Sequence, residues 1–147
     1  MVLKTMTESK LYAIVGAHPA ELDAARLGDL GAAFLEKQGY EVKVTRNIEE
    51  TRAAAAEGSI DFLLMELNQG TPKSTDVNAA VELYRTMKPR IESGEAVFLG
   101  VSGHSDVLDA ATEAEPDILT ALKPGFLREI PKLATAVRER RVSRITS

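Results

Sequence analysis

Short apolar runs alternate with longer amphipathic stretches along nearly the whole chain, and this alternation restricts the fold more than any single motif does. Residues 11–15, Leu-Tyr-Ala-Ile-Val, form a partly β-branched run that stops at Gly16, which fits a strand buried on both faces. Residues 60–65 and 96–101 are two further runs of this kind, the first interrupted only by Asp61 and ending at Glu66, the second closing at Ser102 and Gly103. Residues 40–45 alternate Tyr, Val and Val with Glu and Lys, the pattern of a strand with one wetter face, and residues 118–122 supply a fifth strand.

The stretches between these runs carry helical spacing. Residues 20–38 space Leu22, Leu27, Leu30 and Phe34 among charges, with Pro19 suited to a first helical position and Gly39 to a C-terminal cap. Asn47 can cap a second helix that runs through Glu57, with Glu50 at its third position and Gly58 at its stop. Asp76 or Thr75 can open a third, in which Val77, Ala80, Val81, Tyr84 and Met87 share a face and Pro89 and Gly94 bracket the end. Ser105 can cap a fourth, which Pro116 stops, and Leu127, Ile130, Leu133, Ala134 and Val137 form the apolar stripe of a fifth.

Strands alternating with helices demand parallel pairing and right-handed crossovers, and strands apolar throughout demand helices over both faces of the sheet. The expectation is an α/β fold, a flavodoxin-like (βα)5 doubly wound three-layer sandwich with strand order 2-1-3-4-5. Ligand chemistry in such a fold gathers at the carboxyl ends of strands 1 and 3. That places the candidate site at residues 16–18, 66–68, 102–105 and 123–124. A chain of 147 residues is one domain at about 100–200 residues each. Residues 1–9 are expected to be an N-terminal extension, 10–141 the domain and 142–147 a C-terminal tail.

Composition removes most catalytic chemistries. Cysteine is absent, which excludes disulfides, thiolate metal sites and cysteine nucleophiles, and only His18 and His104 are present, too few for a three-histidine metal site. A net charge of −4 provides no general field for nucleic acid or anionic lipid. Neither a signal-peptide core nor an apolar run of the roughly 20 residues that cross a bilayer is present, so a cytoplasmic protein without nucleic-acid or membrane partners is expected.

Three polar residues remain at strand ends: Glu66 after Phe-Leu-Leu-Met, Ser102 after the fourth strand and Lys123 after the fifth. A carboxylate at the tip of a buried strand requires a cation or hydrogen-bond donors, and Lys123 can reach back over the same rim. At these residues the chain resembles the receiver domain of two-component response regulators. Residues 61–68 resemble the family's third strand, where an aspartate that accepts a phosphoryl group stands in place of Glu66. Residues 98–103 resemble its fourth strand, with Ser102 at the Ser/Thr position. Leu122, Lys123 and Pro124, followed by Phe126, resemble its Lys-Pro-aromatic motif, in which the lysine contacts the phosphoryl group and the Lys123–Pro124 peptide is a candidate for the cis form. The resemblance spans roughly residues 10–140.

Its departures are as informative. The acidic pair that holds Mg²⁺ in the family corresponds to Gly16 and Ala17, so no metal site and no cofactor are expected, since Mg²⁺ relies on carboxylate or phosphate oxygens. His18 and Glu21 are poor substitutes. The switch aromatic corresponds to Thr120, the loop at residues 69–76 is longer than usual, and Gly125 separates Pro124 from Phe126. Phosphoryl transfer needs a metal to neutralise charge on the phosphoryl oxygens, so the resemblance implies a pseudo-receiver rather than an enzyme, with Glu66 imitating the phosphorylated acceptor. Its partner would be a signalling protein or histidine kinase, and the face of helix 4, strand 5 and helix 5 would serve partner docking or homodimerisation. The alternatives are a phosphorylation-competent regulator using another acid such as Asp76, and a flavodoxin-like domain that binds a small molecule, for which His18 alone resembles a cobalamin-binding loop. Arg138, Arg140, Arg141 and Arg144 are expected to serve the dipole of the last helix, with docking of an acidic partner as the alternative.

Overall fold

The computed structural model describes residues 10–17, 27–69, 76–123 and 125–146, the side chains of 144–146 excepted. The strands are β1 (Leu11–Gly16), β2 (Tyr40–Thr45), β3 (Phe62–Glu66), β4 (Val97–Ser102) and β5 (Leu119–Leu122). The helices are α1 (Ala32–Lys37), α2 (Ile48–Ala56), α3 (Asn78–Glu92), α4 (Ser105–Ala114) and α5 (Phe126–Thr146), with a π-helical turn over Leu27–Gly31 leading into α1. All strand pairs are parallel, in the order β2-β1-β3-β4-β5. This is the doubly wound arrangement that the alternation of runs predicts.

Every residue of β3 and β4 is buried, as their unbroken apolar sequences require. On one face Leu64, Leu99 and Phe62 pack with Leu35 of α1 and with Phe126, Ile130 and Ala134 of α5. On the other, Leu63, Met65 and Phe98 pack with Ala54 of α2, Ala80 and Tyr84 of α3 and Val107 of α4. Aromatic edges meet faces in both layers, Tyr40 against Phe62 with ring centres 5.9 Å apart and Tyr84 against Phe98 at 5.6 Å. Among the described residues no helix is long and apolar enough to cross a membrane.

Local chemistry sets the helix ends. Asn47 Oδ1 accepts the Glu50 N–H at 2.9 Å, while Glu50 Oε1 accepts the Arg46 N–H at 3.0 Å, so α2 starts where its capping signal predicts. α3 ends at Glu92, between Pro89 and Gly94. Two expectations are corrected. Ser105 is the first residue of α4 rather than its cap; His104 takes the extended cap position, and its N–H is satisfied by Ser102 Oγ at 3.1 Å. The arginines before Val142 are also more than a turn from the end of α5, which continues to Thr146, so Arg138, Arg140 and Arg141 do not sit in its last turn. The side chain of Arg144 lies outside the described residues.

Arg141 is turned inward. Asp61, 1% exposed, stands just before β3, and its Oδ1 accepts Arg141 Nη2 at 2.6 Å and Arg90 Nη2 at 3.0 Å. Its Oδ2 accepts the Tyr12 N–H at 2.9 Å. The guanidinium groups continue the network, Arg90 Nη1 to the Ile60 carbonyl and Arg141 Nη1 to the Lys10 carbonyl. One carboxylate thus joins β1, the entry to β3, α3 and α5. Burial, reinforced by this carboxylate, pushes the Tyr40 hydroxyl well above the usual phenol range, and the neutral hydroxyl donates to the Ala134 carbonyl of α5 at 3.2 Å.

On the opposite flank Arg85 of α3 donates to Glu115, just past α4, at 2.9 Å, and this hydrogen bond holds the Glu115 carboxyl below its ordinary pKa. The folded pKa lies below the unfolded one, so the staple stabilises above the usual carboxylate range and is lost as pH falls through the folded value. Glu115→Gln is expected to flatten the acid limb of the stability curve, measured by urea unfolding across that range. Asp61→Asn is expected to lower stability by about 3–5 kcal/mol, because two guanidinium groups lose their buried counter-charge. By the same measurement Lys10→Ala, at the exposed 3.5 Å pair with Glu41, is expected to change it by less than about 1 kcal/mol.

Candidate functional site

The carboxyl ends of β1, β3, β4 and β5 meet at one rim of the sheet. β3 delivers Glu66 there because its four preceding residues are apolar and fully buried, which fixes the strand and leaves the acid as its last residue. The chain then folds back. The Leu67 N–H donates to the Val101 carbonyl at 3.0 Å, and the Leu67 side chain covers Gly100, where a Cβ would overlap it. Glycine in the middle of β4 is what allows this return. The Lys123 N–H donates to the Ser102 carbonyl at 3.0 Å and so holds the exit of β5 against that of β4.

Lys123 Nζ lies 2.8 Å from Glu66 Oε2, and only 13% and 9% of the two side chains are exposed. Oε2 has no donor at good hydrogen-bond angles among the described residues, so the lysine charge itself compensates the buried oxygen. Ser102, 1% exposed, lies between them in strand order but turns its hydroxyl to the N–H of His104. The rim therefore holds a close Glu66–Lys123 pair and a serine engaged with its own loop. Thr120 lies opposite Gly100 in the β4–β5 register and is half-buried.

The corner beside β1 is packed. A Cβ on Gly16 would stand 3.0 Å from Met65 Cβ, 3.1 Å from Gln69 Oε1 and 3.2 Å from Thr51 Oγ1. Ala17 is fully buried and its methyl faces Gly28 of the π-helical turn. Gln69, 3% exposed, donates from Nε2 to the Ala17 carbonyl at 2.8 Å and accepts at Oε1 from Thr51 Oγ1 at 2.7 Å, while Thr51 and Thr45 share a further hydroxyl contact at 2.7 Å. Sequence reasoning missed this chain, because three neutral polar residues, one at a strand end, one in a helix and one in a turn, carry no pattern. The Lys123–Pro124 peptide, His18, Glu21 and residues 70–75 lie outside the described residues.

No protein-family model matches the chain, and no curated protein sequence does either. Solved structures do match. A response regulator receiver protein from Sinorhizobium medicae is 16% identical with a TM-score of 0.63, covering 90% of this chain and 97% of its own. A receiver domain protein from Methanospirillum hungatei is 16% identical with a TM-score of 0.62, covering 92% and 99%. The co-crystal structure of the Saccharomyces cerevisiae histidine phosphotransfer signalling protein Ypd1 and the receiver domain of its downstream response regulator Ssk1 matches at 19% identity and a TM-score of 0.58, covering 86% and 87%. The fold is the receiver fold.

Receiver domains invite the question of Mg²⁺, and the described residues do not fit it. A hard, octahedral cation needs several oxygen ligands, preferably carboxylates. Gly16 and Ala17 bring no side-chain oxygen, the space beside Gly16 is filled by Gln69 and Thr51, and the Glu66 carboxylate is held by Lys123. Among the described residues the rim holds its one close acid–base pair internally neutralised.

Lys123→Met is expected to lower stability by about 3–5 kcal/mol, since Glu66 is left buried without its cation. Adding Glu66→Gln is expected to recover most of that loss, and a double-mutant cycle by urea unfolding measures the coupling.

Proposed function

We propose that the chain is a metal-independent pseudo-receiver that acts in the cytoplasm by protein–protein interaction, with Glu66 in the place of the phosphoacceptor aspartate. The observation that carries this reading is the buried 2.8 Å pair between Glu66 and Lys123. In the family that the sequence resembles, the corresponding lysine contacts a phosphoryl group. Here the longer glutamate side chain brings its own negative charge to that lysine. The packing at Gly16 and Ala17 supports the same reading, because phosphoryl transfer relies on a cation to stabilise its transition state.

The alternative acceptor Asp76 is engaged elsewhere, its Oδ1 accepting the Asn78 N–H at 3.1 Å at the start of α3. The partner on this reading is a signalling protein such as a histidine kinase or a phosphotransfer protein. A neighbour in structure is a receiver domain crystallised with a histidine phosphotransfer protein, which supports this choice. The docking face is that of α4, β5 and α5, where Leu119 and Leu122 are each 45% exposed on an edge strand, and a second copy of the chain is the other occupant of that face.

Beryllofluoride with Mg²⁺, or acetyl phosphate with Mg²⁺, is expected to leave the amide NMR signals of Glu66, Ser102 and Lys123 in place. Saturable shifts at those three residues would overturn the proposal.

A further inference from the structure

We infer that Gln69 is a positioning residue that performs, through neutral hydrogen bonds, the cross-linking that a bound cation performs in a metal-dependent corner. The inference rests on the metal-independent reading above and deepens it, because it names what organises the rim in the cation's absence. Three chain segments leave the sheet at this corner: β1 at Ala17, β2 at Thr45 on its way to α2, and β3 through Glu66 to Gln69. Gly16 closes the ladder against Thr45 on one side and Met65 on the other, and beyond it the Ala17 N–H donates to the Thr45 carbonyl at 2.8 Å.

The Gln69 amide supplies the rest. Its Nε2 reaches the Ala17 carbonyl, its Oε1 takes the Thr51 hydroxyl proton, and Thr51 in turn contacts Thr45 Oγ1 and lies 3.0 Å from the Asn47 carbonyl. A primary amide of this length offers a donor and an acceptor together in that position without carrying charge. Its own backbone is pinned as well, the Gln69 N–H donating to the Glu66 carbonyl at 3.1 Å, so one residue links the turn after Glu66 to the end of β1. The absence of a side chain at Gly16 is part of the device, since a Cβ there would press on both Gln69 Oε1 and Thr51 Oγ1.

The test separates linking from space-filling. Gln69→Met keeps the length and volume of the side chain and removes its hydrogen bonds, and Thr51→Val removes the bridging hydroxyl at nearly constant volume. Amide hydrogen exchange is measured on wild type and both variants, without added metal and with millimolar Mg²⁺. Both variants are expected to speed exchange at Ala17 and Gln69 by about tenfold or more, with Tyr12 and Asp61 at the opposite end of the sheet unchanged. Wild-type protection is expected to be the same with and without Mg²⁺.

Exchange within about twofold of wild type at Ala17 and Gln69 in Gln69→Met would overturn the inference, as would an equal loss at Tyr12 and Asp61, which is the signature of general destabilisation. Mg²⁺-dependent protection of wild type would overturn it by making the cation the tie. A failure of the pseudo-receiver reading registers separately, as phosphoryl-analogue shifts at Glu66, Ser102 and Lys123.

Discussion

Asp61 brings a full charge to the entry of the central strand, and burying a carboxylate there is tolerable only because two guanidinium groups and a backbone N–H converge on it. The consequences are architectural. Arg90 reaches it from the end of α3 and Arg141 from α5, so helices on opposite faces of the sheet are tied to the same oxygen. The Asp61 backbone extends the join sideways, its N–H donating to the Tyr12 carbonyl and its carbonyl accepting the Val97 N–H, which sets β1, β3 and β4 in register at their starting ends. The rim where Glu66 and Lys123 meet depends on strands aligned from the other end.

The two ends of the sheet solve one problem in different ways. At the starting end the buried acid is met by two arginines, whose forked geometry allows each to serve a carbonyl as well. At the carboxyl end a single lysine faces a single glutamate, and the groups described beside Gly16 and Ala17 are neutral. The first arrangement fastens four elements together. The second leaves one short, electrostatically defined contact on a surface otherwise organised by the amide of Gln69 and the hydroxyls of Thr51 and Thr45.

The fold was legible because period and composition are local properties: runs such as residues 62–66 and 97–102 declare strands buried on both faces, and the Asn47–Glu50 pair declares the start of α2. Glu66 and Lys123 were legible as partners because strand order alone brings their ends to one rim. The Asp61 network was not, because its partners lie 29 and 80 residues away, and helical spacing made Arg141 look like part of a solvated end. Gln69 was hidden for a different reason. Its significance depends on the direction of a side chain after a turn, and any loop begins with residues of that kind. Ser105 was read as a cap by residue type, whereas the loop hydroxyl that is used belongs to Ser102, three residues earlier.

The Glu66–Lys123 contact also bears on how information could pass through such a protein. In a receiver that is switched, the charge opposite the lysine arrives and leaves, so one population of molecules can hold two messages. On the reading proposed here that charge is built into the polypeptide and arrives with translation. Each copy then says the same thing for its whole lifetime, and the signal becomes the number of copies, set by synthesis, by degradation and by the fraction folded. For a molecule of that type, thermodynamic stability is itself a signalling parameter, and residues far from the rim, Asp61 first among them, help to set the amplitude of the output.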